Sequence, residues 1–200
     1  MSELPVRRTT AADAGAIAET VTLAFHEDPL WSWVFADDAR RADQYRQWWP
    51  LFVTAALRND WSWVTGDAAS VALWAAPGQE ELNQAEETRF VELVDELIGG
   101  DHGKRVLEGL LRFEAAHPRD EPHYYLGFVA THDDHRGKGI GEQLLAQNLE
   151  LIDAEHMPAY LESSNPKNLA RYERLGFRAR AEFAVGDGGP VVTTMWRPAR

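Results

Sequence analysis

The chain has 200 residues, enough for one globular domain with a substantial core and too few to read as two. Hydrophobic residues make up 44% and charged residues 26%, which excludes a disordered or low-complexity chain. With 20 Lys+Arg against 32 Asp+Glu, the formal net charge is −12; this disfavours nucleic acid and anionic membranes as partners and suits a cation. A surface charged for solubility explains the sum more simply.

Cysteine is absent, which removes disulfides, thiolate metal sites and cysteine nucleophiles together. The opening MSELPVRRTT lacks the apolar core of a signal peptide, and the longest apolar run, Val71 to Ala76, is far too short to span a membrane. A single cytoplasmic domain over residues 1–200 is expected.

In chain order, Leu4 to Arg8 reads as a strand, and Thr10 is an N-cap for a helix over Ala11 to Phe25. The aromatic stretch HEDPLWSWVFADD follows, interrupted by Pro29 and acids. A second helix is predicted from about Ala39 to Leu57, with Pro50 threatening a kink. Trp61 to Thr65 and Ser70 to Ala75 read as strands joined by a turn at Gly66-Asp67. Glu80 to Ile98 and Lys104 to Ala115 have helical periodicity and are separated by Gly99-Gly100. His123 to Thr131 is the strongest strand. It leads through the turn DDHRGKGIG into a helix ending near Glu155. Ala159 to Ser163 is a strand, Asn168 to Leu175 a short helix, and Phe177 to Val185 and Val191 to Trp196 are closing strands. Helices alternating with strands make the class α/β or mixed α+β.

The turn Arg136-Gly137-Lys138-Gly139-Ile140-Gly141 joins a strand to a helix. Glycines at every second position leave backbone amides uncovered, and the helix dipole and two cations add positive potential, so an anion site is expected. A pyrophosphate is the expected ligand. A plain glycine-rich turn is the alternative. The dinucleotide fingerprint fails, because Glu142 stands where its third glycine belongs, and no P-loop string occurs.

The string R-x-x-G-x-G, carried by Arg136, Gly139 and Gly141, resembles the acetyl-CoA pyrophosphate loop of the GNAT superfamily of N-acetyltransferases. NPKNLARYERLGF, residues 165–177, resembles that family's next motif, with Tyr172 five residues before Phe177. LAFHEDP, VALWAAPG and YLESS extend the likeness to the puromycin N-acetyltransferase branch. That likeness is weak between about Ala36 and Trp61 and between Gln79 and Glu121.

The resemblance implies a central mixed, mostly antiparallel twisted sheet of about seven strands flanked by helices. It also implies acetyl-CoA as co-substrate, no metal, and a small-molecule amine as acceptor, with a homodimer compatible. By resemblance, Val129, Ala130 and Thr131 line the pantetheine arm almost as an added strand. Arg136, Gly137, Lys138, Gly139, Ile140 and Gly141 hold the pyrophosphate. Asn165 and Asn168 are alternative contacts to CoA, Asn168 matching the branch better. Asp133 stands where the family commonly has Pro.

Tyr172 is the expected general acid for the departing thiolate, or else a residue that only positions the sulfur. An ammonium must lose a proton before it attacks, and HYYLGFVAT contains no acid, so Glu162 on the next strand is the candidate base. A solvent-bound strand-edge acid is its alternative; His123 and Tyr124 are weaker candidates. His26, Glu27, Asp28 and Trp31, with Trp33, are expected to wall an acceptor pocket, acids beside indoles suiting a cationic amine. Lys167, Arg171, Arg174, Arg178 and Arg180 could meet the CoA 3′-phosphate or form a solvated face. His132 and His135 as metal ligands are disfavoured. Acetylation of protein N-termini, lysines or polyamines stays open, as does a non-catalytic acyl-CoA-binding module.

Overall fold

The computed structural model describes residues 4–200. Seven strands form one sheet: β1 (Val6–Arg8), β2 (Trp63–Thr65), β3 (Ser70–Ala75), β4 (Tyr124–Thr131), β5 (Ala159–Ser163), β6 (Arg178–Ala184) and β7 (Val191–Arg197). Their order is β1-β2-β3-β4-β5-β7-β6. Every neighbouring pair is antiparallel except β4 with β5. The mixed, mostly antiparallel sheet of seven strands is as expected.

Seven α-helices flank it: α1 (Ala14–Ala24), α2 (Pro29–Val34), α3 (Asp38–Arg58), α4 (Gln84–Leu97), α5 (Gly100–Ala116), α6 (Ile140–Ala154) and α7 (Leu169–Arg174). Two cores result, one on each face of the sheet. Trp31, Trp48, Trp49 and Phe52 from α2 and α3 pack with Val71, Leu73 and Ala130 on one face. On the other, Leu144, Leu145 and Leu149 of α6 meet Ala72, Trp74, Leu126 and Leu161. Inside that second core the Trp74 indole donates to Asn148 Oδ1 at 3.0 Å, which satisfies the indole, while Asn148 Nδ2 has no partner among the described residues. No described helix is long and apolar enough to cross a membrane.

Several boundaries differ from expectation for local reasons. Pro29 to Val34 is a helix, because Asp28 accepts from the Leu30 amide at 3.0 Å and Pro29 occupies the first helical turn. Pro50 does not break α3. It sits on the exposed face, so the carbonyl it frees, that of Arg46, is where water reaches. The helix expected from Glu80 begins at Gln84, because Asn83 and Glu86 form a reciprocal capping box. Glu80 and Glu81 are left in the preceding loop. At the next helix Gly99 is the N-cap and the helical residues start at Gly100, four before the expected Lys104. The first strand covers only Val6 to Arg8, and Trp61 precedes rather than joins β2.

Candidate active site

Parallel pairing of β4 with β5 is short. It joins Tyr124, Tyr125 and Leu126 to Ala159, Tyr160 and Leu161 and then stops, while β4 runs on to Thr131 still paired with β3. The two strands therefore open into a V. The β3–β4 register slips where the split begins, so Gly127 is an extra residue on β4, a bulge that bends the strand. Beyond it, the β5-facing backbone edge of residues 127–131 has no strand partner.

At the wide end of the V stands the glycine-rich turn. The amides of residues 137–142 have no acceptor among the described residues; the first bond of α6 is Gln143 N–H to the Gly139 carbonyl, 3.0 Å. Gly139, the N-cap, holds φ +76, a left-handed conformation that glycine adopts without strain. Gly141 has a different reason. A Cβ there would lie 2.7 Å from Thr131 Oγ1 and 3.3 Å from Ser70 Oγ, so only glycine lets α6 seat on β3 and β4. Free amides, an N-terminal dipole and an open strand edge fit a pyrophosphate with an extended arm.

The cations of this turn face the protein. The Arg136 guanidinium donates to the Leu23 and Ala24 carbonyls (3.3 and 2.9 Å) at the C-terminal end of α1 and pairs with Asp133 at 3.0 Å. Lys138 Nζ donates to the Asp134 carbonyl at 2.7 Å. The groups this turn leaves free are thus its amides, with Arg136 tying the turn to α1. Of the basic run farther on, Arg174 pairs with Glu142 at 2.9 Å and Arg180 stacks on Trp196 at 4.1 Å.

Tyr172 owes its position to the Leu175-Gly176-Phe177 turn. Phe177 N–H donates to the Tyr172 carbonyl and Gly176 N–H to that of Glu173, both at 3.0 Å, with Gly176 at φ +96. That is a Schellman cap, and its apolar contact is the Tyr172–Phe177 ring pair, 6.1 Å between centroids. The Tyr172 hydroxyl has no hydrogen-bond partner among the described residues. Burial pushes its pKa up to about 12, so it carries its proton at neutral pH. Asn165 accepts from the Lys167 amide at 3.1 Å, whereas the Asn168 side chain makes no cap bond.

Glu162 lies on β5 just past the point where pairing ends. Its side chain is only 2% exposed, so it is not the solvent-bound edge acid that was its alternative. The Tyr125 hydroxyl donates to Oε2 at 2.8 Å, while Oε1 is buried without a partner. Burial raises its pKa to about 7 and hydrogen bonding by Tyr125 pulls the other way; the Tyr160 hydroxyl donates instead to the Ala116 carbonyl at 3.3 Å. His123 is turned to Trp196 and Tyr160, ring centroids 5.2 and 5.5 Å away, and Tyr124 donates to Glu155.

The loop after α1 divides. Asp28 is buried, caps α2 and accepts from the Ser164 hydroxyl at 3.0 Å, which clamps this loop to the turn after β5. Trp31 is 6% exposed and belongs to the aromatic core, 4.7 Å from Trp49 and 6.3 Å from Phe128 by centroid. Glu27 is exposed, and the His26 ring points to Asp38 at 3.5 Å. Among the described residues, these four make no hydrogen bond, ion pair or ring contact to Glu162.

Other residues do. His117, at the end of α5, brings Nδ1 to 4.0 Å from Glu162 Oε1, and its ring lies edge-on to Tyr125 and Tyr160. Glu81 reaches the bulge, its Oε1 lying 3.2 Å from where a Cβ on Gly127 would be. Crowding by protein atoms, then the charges of Glu162 and Glu114, raise the Glu81 pKa, although solvent reaches the outer face of the residue. The Asn83–Glu86 capping box was the signal that leaves Glu81 in a loop, and Pro118 the one that ends α5 at His117. Neither tells which strand those residues meet.

The family model for the acetyltransferase (GNAT) family matches residues 22–177, a span holding the V, the amide cradle, Glu162 and Tyr172. The chain belongs to the acetyltransferase (GNAT) family. It is an N-acetyltransferase, and the acyl donor of the family is acetyl-CoA. An uncharacterized N-acetyltransferase of Schizosaccharomyces pombe is 25% identical over 185 residues, 87% of this chain and 74% of that one. A Corynebacterium glutamicum structure described as histone acetyltransferase HPA2 and related acetyltransferase is 24% identical, with TM-score 0.67 over 100% of this chain and 98% of that one. Arylalkylamine N-acetyltransferase 2 of Aedes aegypti shares the fold at TM-score 0.68 and 13% identity, each chain covered fully at 100%.

Proposed function

We propose that this GNAT enzyme acetylates the primary amine of a small molecule by direct transfer from acetyl-CoA, with Glu162 as general base and Tyr172 as general acid. The observation that carries it is the Glu162 carboxyl, buried in the open V with one oxygen already held by Tyr125 and the other free. With its pKa lifted to about 7, that carboxylate is a strong enough base to take a proton from an ammonium at neutral pH. The nitrogen then attacks the thioester carbonyl carbon, the C–S bond breaks, and Tyr172 hands its proton to the departing thiolate. Absence of any cysteine supports direct transfer over a cysteinyl-acyl intermediate.

Carboxyl groups at Glu81 and Glu162 beside aromatic rings favour a cationic acceptor carrying an apolar or aromatic body. An aminonucleoside such as puromycin fits that description, and so does an arylalkylamine. Thiol-release assays across amines, with puromycin, 2-phenylethylamine, spermidine and lysine-bearing peptides in the panel, test the assignment. Acetyl-CoA should raise the melting temperature, since it binds only the folded state. Thiol release with a small amine is the expected result. Stabilisation without release across the panel would favour a non-catalytic acyl-CoA-binding protein.

A further inference from the structure

With both rings neutral, the partners of His117 and His123 fix where their protons sit. His123 Nδ1 lies 2.7 Å from the Glu121 carbonyl, which can only accept, so that nitrogen carries the hydrogen. In the neutral ring Nε2 is then an acceptor. In that tautomer His117 Nε2, 3.1 Å away, donates to it. That leaves His117 Nδ1 as a bare lone pair, 4.0 Å from the unpartnered Glu162 Oε1. With Glu162 ionised, two acceptors face each other 4.0 Å apart.

We propose that His117 Nδ1 and Glu162 Oε1 together hold the substrate's amine nitrogen, as a two-point acceptor. This rests on acetyl transfer at Glu162. A nitrogen about 2.8 Å from each of two atoms 4.0 Å apart makes an angle of roughly 90°, close enough to tetrahedral for two N–H bonds to point at both. Burial foremost holds the His117 pKa down to about 4, so the lone pair is present at neutral pH.

Proton stoichiometry gives this arrangement its use. The nitrogen enters as R–NH3+ and leaves as an amide N–H, so it sheds two protons while the C–N bond forms and the C–S bond breaks. One ends on the thiol and one in water. Glu162 Oε1 accepts the first, which through solvent replaces the proton Tyr172 gives to the thiolate. His117 Nδ1 holds a second N–H during attack and accepts it once the new C–N bond makes the nitrogen cationic. The ring, 23% exposed, then returns that proton to solvent.

The test compares H117Q with H117N. Gln keeps an N–H where His117 Nε2 meets His123 and has nothing at Nδ1; Asn keeps an oxygen near Nδ1. With 2-phenylethylamine and puromycin as probes, H117Q should raise the amine KM about 10-fold or more, the value of a hydrogen bond to a charged group. H117N should recover most of that loss, and both should keep the melting rise with acetyl-CoA. Wild-type turnover with H117Q unaffected, or equal losses in H117Q and H117N, would overturn the His117 role and leave the reaction standing. No thiol release by the wild type would overturn the reaction itself. Nitrogen-15 spectra of the wild type supply a readout without turnover: an unprotonated Nδ1 resonance at His117 that moves on adding the amine. A protonated Nδ1, or one indifferent to saturating amine, would overturn the clamp.

Discussion

The two arms of the V differ in what they are made of. Along β4 and the start of α6 the groups left free are backbone, namely amides and an unpaired strand edge, and side chains matter there by being absent or by anchoring the turn. Along β5 and the end of α5 the backbone only carries side chains, Glu162 and His117, with the Tyr125 hydroxyl of β4 holding the Glu162 carboxyl. A backbone site needs one local stretch of chain, whereas a side-chain site is assembled from segments far apart in sequence. The first kind suits a constant donor and the second a varied acceptor. Substitutions on the β5 arm should therefore change chemistry while sparing donor binding, and those on the β4 arm the reverse.

Glu162→Gln should have the largest effect. Removing a general base lowers turnover by about 10²- to 10⁴-fold, and the acetyl-CoA-induced rise in melting temperature should survive. The pH profile carries the sign. A base with pKa near 7 must be ionised to act, so the rate at low amine concentration should climb as pH rises through about 7. Stability runs the other way. A carboxyl whose folded-state pKa is raised favours folding while protonated, below about pH 4.5, and loses that contribution as pH rises through about 7. The Gln variant should thus melt higher than wild type at pH 8, and the gap should close toward pH 4.5. Equal melting curves at pH 8 would show that Glu162 is not desolvated.

Tyr172→Phe comes next, with turnover about 10²-fold lower, at the modest end for lost acid catalysis. Its fold should persist, because the Schellman cap uses the backbone of residue 172 and the ring contact with Phe177, both kept in Phe. A fall in acetyl-CoA affinity as large as the fall in turnover would make Tyr172 a positioning residue instead.

Gly141→Ala crosses to the other arm. Its Cβ would fall 2.7 Å from Thr131 Oγ1, so α6 must lift from β4, at a cost of about 1–3 kcal/mol. Donor stabilisation should shrink in thermal melts, while residual turnover at saturating acetyl-CoA stays near wild type.

That contrast also explains what the sequence revealed. The amide turn and the Leu175-Gly176-Phe177 cap are local devices whose residues are contiguous, so both were legible together with the strands they terminate. Ser70–Ala75 and Ala159–Ser163 matched to the residue for a related reason, each being a short apolar run with turns on both sides. On the acceptor side only Glu162 was legible, as the nearest acid to the strand before the turn; its neighbours were not. Glu81, His117 and Glu162 lie on a loop, a helix end and a strand, and only the register of the split sheet brings them together. Trp31 and Asp28 carry a structural role that their residue types did not announce, an indole in the core and an acid capping a helix.

Arg136→Ala sharpens the comparison with the smallest expected effect. A cation in a phosphate loop invites the view that it binds the anion by charge, in which case its loss should weaken acetyl-CoA steeply and in a salt-dependent way. The guanidinium is instead spent on the Leu23 and Ala24 carbonyls and on Asp133, three acceptors already within reach. Its removal leaves the end of α1 uncapped and the turn untethered, worth about 1 kcal/mol for an exposed charge at a helix C-terminus. Acetyl-CoA affinity should accordingly fall only about 5-fold, consistent with that energy, because the amides still face the same way. Titrations by melting shift at low and high salt separate the cases. A loss that disappears at high salt would assign the cation to the phosphate, whereas a small loss indifferent to salt leaves the backbone as the donor's binding surface.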